Sequence, residues 1–530
     1  MADARGEVTW VTPTRRLAHR LRLRHDEDCL ARGLEAWTSP DIVTWGELIR
    51  RMFELDRQAG RLAGRWLPEA AAQLVWERIV RRDPRSGALV SPAGVARAAC
   101  LAWQRMHSHL IPRSALTGDG SPECEAFARW VARYDQWLAA KDWVDPWLAP
   151  RSVTAAAAGP RLEFVGFDAL TPAQQEFQAR LSATGVEVMN TPPDARRGDC
   201  AWVSCTDRRD EIESAARWAA WRLEQSPAQL AIVLPDLGQR REEARRIVER
   251  VLAPAATVAG GPAPESAAFE LASARALASR PIVAAALDAL EAFAGTADFA
   301  RASRLLRSPF LRSAGAEADV RARLDARLRR YEAVDLGLER LARLAAERNC
   351  PALAEALHAA LQARREWPRT ALPNRWTRAF FELLAALGWP GDGLDSSEQQ
   401  AQTRWGRLVA EFGACDDYVG AVSAREAVGL LREMAEGVLF EPEELRAPLL
   451  VIDAETCSGM SFDALWVCGL DDARWPGPAS PDPFLPRNWQ ARQRLPGCTA
   501  DIAAEDAHRL LTRLCSSADE VILSVPQFDD

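Results

Sequence analysis

The order of strand-like and helical segments is the feature that most constrains the fold of this chain. Strand-like runs occur near the N-terminus, at 162–167, 201–205 and 229–234, and again near the C-terminus. Helical patterns fill the stretches between them, including two long ones at 59–157 and 263–443. Strands that alternate with helices favour parallel sheets, because each parallel pair needs a crossover connection. The order therefore predicts an α/β fold with two parallel-sheet domains, each interrupted by a mainly helical insertion.

The predicted boundaries divide the chain into four parts. At 530 residues it is too long for a single hydrophobic core, because cores stop growing near ~250–300 residues. The segment from Ala253 to Pro264 is rich in Ala, Pro and Gly and has few large side chains to bury, so it is the predicted linker. The predicted parts are 1–58 with 158–198 as the first sheet domain, 59–157 as its insertion, 199–262 with 444–530 as the second sheet domain, and 263–443 as its insertion.

Charge and cysteine content exclude several classes of protein. The 66 basic and 74 acidic residues give a net charge of −8, so any contact with nucleic acid has to come from a local basic patch. The 11 cysteines include no CxxC pair, which favours reduced thiols over a disulfide framework or a zinc site. The N-terminus lacks a signal-peptide pattern, and no apolar run approaches the ~20 residues of a membrane span. We therefore expect a cytoplasmic protein with no membrane partner and no metal.

Three stretches combine a strand with small or polar residues at fixed places around it. Each places a strand next to a helix or a tight turn. The first is the strand at 162–167, which is followed by Thr171-Pro-Ala-Gln174. The second is the strand at 464–467, which lies between Gly459 and Gly469-Leu470 and is followed by Trp475-Pro476. The third is the helix from Glu505, which leads through Ser516-Ser517-Ala518 into a strand at 521–524.

This arrangement resembles UvrD-like helicases, and more closely the AddB-like subunits of helicase–nuclease repair complexes. The resemblance covers the whole chain as a pattern, and it implies that the two sheet domains are RecA-like. Two weaker matches support it. The segment 207–223, with Glu211 and Trp218, is similar to the opening of the second motor domain, and Leu305 to Leu311 is similar to a recurring element of the second insertion.

In the first stretch, the resemblance implies that the metal-binding carboxylates of an active helicase are missing. Active relatives end this strand with Asp-Glu, which holds magnesium and positions the attacking water. Val165 and Gly166 stand in those places here, whereas Gln174 matches the glutamine of the following helix. Asp168 lies just past the strand, where it either replaces a lost carboxylate or caps the next helix, and the cap is the expected role.

In the other two stretches, the resemblance implies a retained frame with altered polar positions. Asp453, Glu455 and Ser458 occupy the places of the Thr, His and Lys that read DNA and sense nucleotide in active relatives, whereas Gly459 is retained. Ser517 falls in the place of a Thr-Arg-Ala whose arginine stabilises charge developing on the γ-phosphate. We therefore expect no ATP hydrolysis.

The start of the chain lacks a phosphate-binding loop. The GxxxxGK[ST] loop needs a lysine, and the only lysine, Lys141, has no glycine loop around it. The first strand and helix instead resemble a helicase segment that contacts single-stranded DNA. Its DNA-binding candidates are Thr12, Thr14, Arg15 and Arg16. The two arginines at this helix start either meet phosphates or are simply solvated.

Tryptophan is unusually frequent, with 20 residues in the chain. Four of them fall together in the first insertion: Trp130, Trp137, Trp143 and Trp147. Such side chains suit either base stacking or packing in a helical core. Core packing is the expected use.

These observations lead to two hypotheses of function. In the first, the chain is the DNA-binding, catalytically inactive helicase-like part of a double-strand-break repair helicase–nuclease, and it holds DNA at single-strand/duplex junctions without a cofactor. The alternative is a protein-interaction scaffold with a degenerate helicase fold that docks an active helicase partner without binding DNA, and the acidic balance favours it. The discriminating feature is whether Arg15, Arg16 and the arginines from Arg321 to Arg330 line one cleft.

The resemblance also implies two components that these residues do not supply. One is an AddA-like or UvrD-like helicase partner. The other is a PD-(D/E)XK nuclease domain beyond residue 530, so we expect the chain to be a fragment of a longer protein. No nuclease or other catalytic residue is predicted within it.

Overall fold

The computed structural model describes residues 8–86, 91–117, 121–192, 198–254, 268–272, 274–295, 298–331, 336–442 and 447–528. Contacts divide the chain into two compact units. Unit 1 contains Met1–Leu67, Leu89–Ser273 and Glu444–Asp530, and unit 2 contains Pro68–Ala88 and Ala274–Glu443. Most of the predicted linker, 253–264, lies outside the described residues.

Unit 1 is an α/β assembly with two larger parallel sheets, of four and six strands, and one two-stranded parallel pair. Its strands, numbered along the whole chain, are β1 (Thr9–Thr12), β2 (Asp41–Thr44), β3 (Arg65–Trp66), β4 (Trp143–Val144), β5 (Arg161–Val165), β6 (Glu187–Thr191), β7 (Asp199–Cys205), β8 (Leu230–Val233), β9 (Phe269–Ala272), β12 (Leu449–Ile452), β13 (Phe462–Val467) and β14 (Ala518–Pro526). Its helices are α1 (Arg15–Ala31), α2 (Trp45–Gln58), α4 (Pro92–Ser108), α5 (Pro122–Lys141), α6 (Pro172–Ser182), α7 (Arg208–Gln225), α8 (Leu237–Leu252), α18 (Arg487–Arg492) and α19 (Ala500–Cys515).

The first sheet has the strand order β2-β1-β5-β6, and its pairings are parallel. Val11, Leu162 and Phe164 point into one core, where Phe53 of α2 and Phe177 of α6 cover them. Helix α2 begins with a capping box, in which the Thr44 side chain accepts from the Glu47 amide and the Glu47 carboxylate accepts from the Thr44 amide. Such reciprocal bonds satisfy the amides left open at a helix start.

The second sheet has the order β7-β14-β13-β8-β12-β9, again with parallel pairings. Every residue of β8 and β12 is buried. This burial follows from helices on both faces, which make the central strands of a parallel sheet read as continuous apolar runs. One face packs on α7 and α8, and the other packs on α1 and α19.

The predicted α/β class with parallel sheets is confirmed, and the strand-like runs of the sequence form β1, β5, β7, β8, β12, β13 and β14. Three strands of these sheets were not predicted: β2, β6 and β9. Strand β6 lies at the edge of its sheet and is largely exposed, so it has no apolar run. Strands β2 and β9 have only four residues each. They include the charged residues Asp41 and Glu270, which interrupt the apolar pattern that predicts a buried strand.

The first insertion is held together around a buried carboxylate. Asp145 accepts hydrogen bonds from the Trp103 indole at 3.1 Å and from the Tyr134 hydroxyl at 2.7 Å. Trp130 and Trp143 are buried, and Trp130 packs against Phe484. Core packing of these two tryptophans, the expected use, is therefore confirmed.

Unit 2 is mainly helical. Its helices are α3 (Glu69–Arg81), α9 (Pro281–Ala294), α10 (Phe299–Arg307), α11 (Ala318–Tyr331), α12 (Leu338–Glu347), α13 (Pro351–Arg365), α14 (Pro373–Ala386), α15 (Ser396–Gly413), α16 (Asp416–Val419) and α17 (Ala424–Gly437). A short antiparallel pair joins β10 (Arg275–Ala276) to β11 (Leu439–Phe440).

Contacts group the predicted parts differently from the sequence boundaries. Both sheets fall in unit 1, and α3, from the first predicted insertion, packs against α15 and α17 in unit 2. The four-part division itself stays a prediction. Across the described ranges, none of the helices has both the length and the apolar character needed to cross a membrane.

A pair of carboxylates lies where α3 packs on α17. Glu77 of α3 is buried and accepts from the Arg81 guanidinium Nε at 2.7 Å. Burial, then the neighbouring Glu77 carboxylate, raises the pKa of Glu433 on α17 from 4.5 to about 7, against an opposing effect of Arg81. The folded protein therefore keeps this proton at pH values where the unfolded chain has lost it.

The contribution of Glu433 to stability is complete below about pH 4.5 and is lost as the pH rises through about 7. We expect Glu433→Gln to slow amide hydrogen exchange in α3 and α17 relative to wild type at pH 8. The free energy of the opening that permits exchange should rise by on the order of 1 kcal/mol after solvent screening. At pH 5 the two proteins should exchange alike. Glu382→Gln, at an exposed position on α14, is the matched control, and equal exchange rates of wild type and Glu433→Gln at pH 8 would contradict the prediction.

Candidate functional site at the junction of the two sheets

The first sheet has a topological switch point between β1 and β5. The chain leaves β1 to form β2 on one side and later forms β5 on the other side. In open parallel sheets, the connections that leave the two strands at a switch point separate and open a crevice where ligands bind. Thr12 and Val165 end these two strands, so the expected crevice lies just beyond them.

That crevice is filled by the chain itself. Gly166, directly after β5, and Gly459, in the loop between β12 and β13, approach each other beneath the side chain of Leu17. A Cβ atom on Gly166 would lie 2.4 Å from Leu17 Cδ2 and 3.0 Å from Gly459 Cα. A Cβ atom on Gly459 would lie 2.5 Å from Leu17 Cδ2 and 2.7 Å from Gly166 Cα. Both glycines have left-handed backbones, with φ of +76° and +72°, so space and conformation each require glycine.

Helix α1, which follows the first strand of the first sheet, packs into the core of the second sheet. Leu17 belongs to the same buried cluster as the apolar residues of β8, β12 and β13. One residue earlier, the Arg16 guanidinium pairs with the Glu270 carboxylate of β9 at 2.6 Å, and both side chains are only 12% exposed. Arg20, one turn on, lies over the Phe462 ring at 5.0 Å. Helix α1 therefore joins β1 of the first sheet to the core of the second sheet.

A polar link crosses the junction beside the two glycines. The Ser458 hydroxyl donates to the Gly166 carbonyl at 3.1 Å and lies 2.8 Å from Asp168 Oδ2. A hydroxyl has one proton, so it donates to one of these acceptors at a time. The other Asp168 oxygen, Oδ1, lies 3.0 Å from Nε of Arg513 on α19. Asp168 thus connects the first sheet to two elements of the second.

Arg513 is fixed from three directions. Besides the Asp168 carboxylate, its two terminal nitrogens donate to the carbonyls of Cys457 and Ala454, each at 2.8 Å. Its side chain is 11% exposed. A planar guanidinium suits this geometry, because its donors form a rigid fork, whereas an ammonium is a point charge.

The junction offers little chemistry of its own. Burial raises the pKa of the Cys457 thiol to about 12, so this group stays protonated and is a poor nucleophile at neutral pH. Asp168 is the carboxylate that crosses the junction, and Arg513 already neutralises it. Among the described residues, no group of three or more His, Cys, Asp or Glu side chains is arranged to hold a metal ion. The geometry fits a fixed joint.

The expected role of Asp168 as a helix cap is wrong. Helix α6 is capped by Thr171, whose side chain accepts from the Gln174 amide, while the Gln174 side chain accepts from the Thr171 amide at 2.9 Å. This capping box satisfies the helix start without Asp168. Asp168 is therefore left to bind Ser458 and Arg513 across the junction.

The four DNA-binding candidates are placed in different environments. Thr12 is buried, and its hydroxyl lies near the carbonyls of Thr14 and Val43. The Thr14 side chain caps α1 by accepting from the Leu17 amide. The Arg16 side chain is half-buried and pairs with Glu270. Arg15 differs, because its side chain is 74% exposed and its contact with Glu47, at 3.2 Å, is a surface ion pair.

The remaining motif positions make local contacts. Asp453 accepts from the Thr456 amide and hydroxyl, at 2.8 and 2.7 Å, and so fixes the turn after β12. Glu455 is exposed. Ser517 is buried and donates to the Leu514 carbonyl, and Val165 ends β5. Of the predicted positions, the structure brings together Gly166, Asp168, Ser458 and Gly459.

The sequence reasoning missed Leu17, Arg513 and Glu270. A signal for Arg513 was present, because Thr512-Arg513 lies about one helical turn before the place where the resemblance puts a Thr-Arg-Ala. A shift of one turn keeps a side chain on the same helix face. Leu17 and Glu270 carry no such signal, since one is an ordinary apolar residue and the other pairs across 254 positions.

A buried carboxylate also lies at the carboxyl edge of the second sheet. Glu211 of α7 accepts from the Ser524 hydroxyl at 2.6 Å and from the Gly469 amide at 2.9 Å. The Trp466 indole donates to the same Ser524 hydroxyl at 2.8 Å. Burial raises the pKa of Glu211, and these two hydrogen bonds oppose the rise. The cluster joins α7 to β13 and β14.

The glycine contact can be tested with Gly459→Ala. We expect a loss of about 2–4 kcal/mol in the free energy of unfolding, because left-handed strain adds to a collision with Leu17 and Gly166. Gly33→Ala is the matched control, since Gly33 has φ +73° and open space around its Cβ position. It should lose only about 1 kcal/mol. Equal losses in denaturant titrations of the two variants would argue against a close approach.

The polar link can be tested with Arg513→Ala. Removing the guanidinium leaves Asp168 and two carbonyls without their partner, so we expect a loss of about 2–4 kcal/mol. Arg509→Ala is the control one turn earlier on α19, where an exposed arginine pairs with Asp506 at 2.7 Å. That variant should change the free energy of unfolding by about 0.5 kcal/mol or less. A similar small change in Arg513→Ala would show that the link does not stabilise the junction.

Comparison with known proteins leaves the geometry as the main guide to function. The chain matches no protein-family model and no curated protein sequence.

Proposed function

We propose that this chain is a catalytically inactive, helicase-like module that holds DNA at single-strand/duplex junctions within a double-strand-break repair helicase–nuclease. Its two sheets are the cores of two RecA-like domains, and an AddA-like or UvrD-like helicase is its partner. The observation that carries the proposal is the filled crevice at the β1/β5 switch point, where Leu17 and the Gly459 loop take the place of a ligand.

Three features of that crevice argue against ATP hydrolysis. The start of α1 has no glycine loop, and its amide at Leu17 is bonded by the Thr14 side chain. A magnesium ion bound to a nucleotide needs carboxylate or hydroxyl oxygens, and Asp168 is paired with Arg513 instead. The Gly166–Gly459 approach also fixes the spacing between the sheets, whereas a motor must open and close a cleft as nucleotide turns over.

A fixed joint suits a module that holds DNA passively. Arg15 is exposed at the start of α1, just after β1, where it is available to a phosphate. Because the joint needs no nucleotide, the spacing of DNA contacts on unit 1 stays constant while a partner motor moves the strand. Backbone contacts of this kind carry no sequence preference.

The second candidate is a protein-interaction scaffold that docks an active helicase and never touches DNA. The pairing of Arg16 with Glu270 favours it, because this arginine, a candidate for phosphate contact, is used inside the fold. The net charge of −8 favours it as well.

Fluorescence anisotropy of a labelled forked DNA tests the proposal. We expect the dissociation constant to rise steeply with salt and to change by less than about twofold when magnesium-ATP is added, because binding releases counterions and uses no nucleotide. Phosphate release from ATP should not exceed that of a mock preparation. Arg15→Gln should weaken binding of the fork, whereas Arg57→Gln, an arginine on α2 that is also paired with a glutamate, should not.

Each outcome has a distinct meaning. Absence of binding at low salt would favour the protein-docking scaffold. ATP turnover above the mock preparation would overturn the inactive-motor part of the proposal, even if DNA binds. Equal effects of Arg15→Gln and Arg57→Gln would remove Arg15 from the contact without removing DNA binding.

A further inference from the structure

Two cysteines that are far apart in sequence meet at one edge of the second sheet. Cys200 is the second residue of β7, the edge strand of that sheet, and Cys515 is the last residue of α19. The two thiols are in hydrogen-bond contact. Strand β7 pairs with β14, the strand that follows α19, and this pairing places the two cysteines side by side.

The backbone around the pair supports this proximity independently of the thiols. A Cβ atom on Gly198, directly before β7, would lie 2.4 Å from the Ala518 carbonyl oxygen and 3.2 Å from the Cys515 carbonyl oxygen. Residues two apart in an extended strand point to the same face, so Cys200 points to the side of Gly198 that meets these atoms. Cys200 also lies opposite Val521, which belongs to the buried cluster on the α19 face of the sheet. Cys200 therefore faces the end of α19.

The two thiols differ in exposure. All 11 cysteines lie in the described ranges, and Cys200 is the exposed one, whereas Cys515 is half-buried against the core of the second sheet. Burial, then the contact with Cys200, raises the pKa of the Cys515 thiol to about 11, so Cys515 keeps its proton at neutral pH. Redox-sensitive pairs combine an accessible cysteine, which is oxidised first, with a neighbouring cysteine that resolves the product.

We propose that Cys200 and Cys515 form a reversible disulfide when the protein is exposed to a peroxide. The Cys200 thiolate attacks one peroxide oxygen, the O–O bond breaks, and the leaving oxygen takes the proton that Cys200 had released, which leaves a sulfenic acid at Cys200. The Cys515 sulfur then attacks the Cys200 sulfur, the S–O bond breaks, and the departing hydroxide takes the Cys515 proton to form water. Each thiol loses one electron and one proton, and the peroxide gains both electrons.

The disulfide ties the start of β7 to the end of α19. Its sulfur atoms have only to close from hydrogen-bond contact to a bond of about 2.05 Å. Both cysteines lie at the end of an element, and helix ends fray, so the backbone has room to adjust. A cross-link between residues so far apart in sequence restricts the unfolded chain, and it therefore stabilises the folded one. The inference goes beyond the proposed function and does not depend on it.

The test is oxidation of the full chain with a small molar excess of hydrogen peroxide, followed by alkylation of free thiols and peptide mapping. We expect one intramolecular cross-link between the peptides that contain Cys200 and Cys515, and dithiothreitol should remove it. The cross-link should form at least about tenfold faster than Cys100, the other half-buried cysteine, is oxidised. Accumulation of sulfenic or sulfinic acid at Cys200 without the cross-link would overturn the proposal.

Three variants assign the roles of the two thiols. Cys515→Ser should leave a sulfenic acid at Cys200 that dimedone traps, with no cross-link. Cys200→Ser should give neither product, and Cys100→Ser, the control outside the pair, should form the cross-link at the wild-type rate. A cross-link to Cys515 that persists in Cys200→Ser would overturn the proposal. So would a disulfide-linked dimer through Cys200 in place of the internal bond.

Urea denaturation gives a second measurement that does not depend on trapping an intermediate. The midpoint of oxidised wild type should lie roughly 0.5–1 M above that of reduced wild type, because the cross-link restricts the unfolded chain. Cys200→Ser changes an exposed side chain, so its midpoint should match that of reduced wild type and should not respond to peroxide. A midpoint that falls when the Cys200–Cys515 bond forms would show that the fold does not accommodate the bond, and the proposal would fail.

Discussion

The structure of unit 1 depends on one close approach of backbone, that of Gly166 to Gly459 beneath Leu17. Gly166 follows a strand of the first sheet, and Gly459 lies in a loop of the second. Each adopts a left-handed backbone conformation that is unfavourable for a residue with a side chain. Because no Cβ atom intervenes, the loop after β5 and the loop after β12 touch directly, and Leu17 closes the space above them. The packing of α1 on the second sheet and the polar link through Asp168 are both arranged around this contact.

Charged groups at the junction are held by several contacts each. Taking an ion pair partly out of water costs desolvation energy that further hydrogen bonds help to offset. Arg513 Nε lies 3.0 Å from an Asp168 side chain that is 29% exposed, the two terminal nitrogens of Arg513 donate to main-chain carbonyls, and Ser458 lies beside the second Asp168 oxygen. Arg16, the residue before Leu17, forms a similar half-buried pair with Glu270. These pairs fix the orientation of the two sheets, whereas Leu17 and the apolar core supply most of the attraction.

Unit 2 uses buried acids in a related way. Glu317 orders Arg321 and the start of α13, and Asp325 orders Arg329 and Arg307. In each case a carboxylate inside the unit holds one or two arginines in place.

The sequence by itself determined the α/β class and most of the strands, because buried parallel strands such as Leu230–Val233 and Leu449–Ile452 read as apolar runs. It also marked Gly166, Asp168, Ser458 and Gly459, through a resemblance that aligned them with a helicase crevice. The tertiary structure decided what those residues do. Asp168 was expected to cap a helix, yet Thr171 and Gln174 cap it, and the partner of Asp168 is Arg513, 345 positions away. Edge strands such as β6 were missed since exposed strands lack an apolar pattern. Pairings between residues far apart in sequence, such as Arg16 with Glu270, depend on how the sheets pack and leave no local pattern to detect.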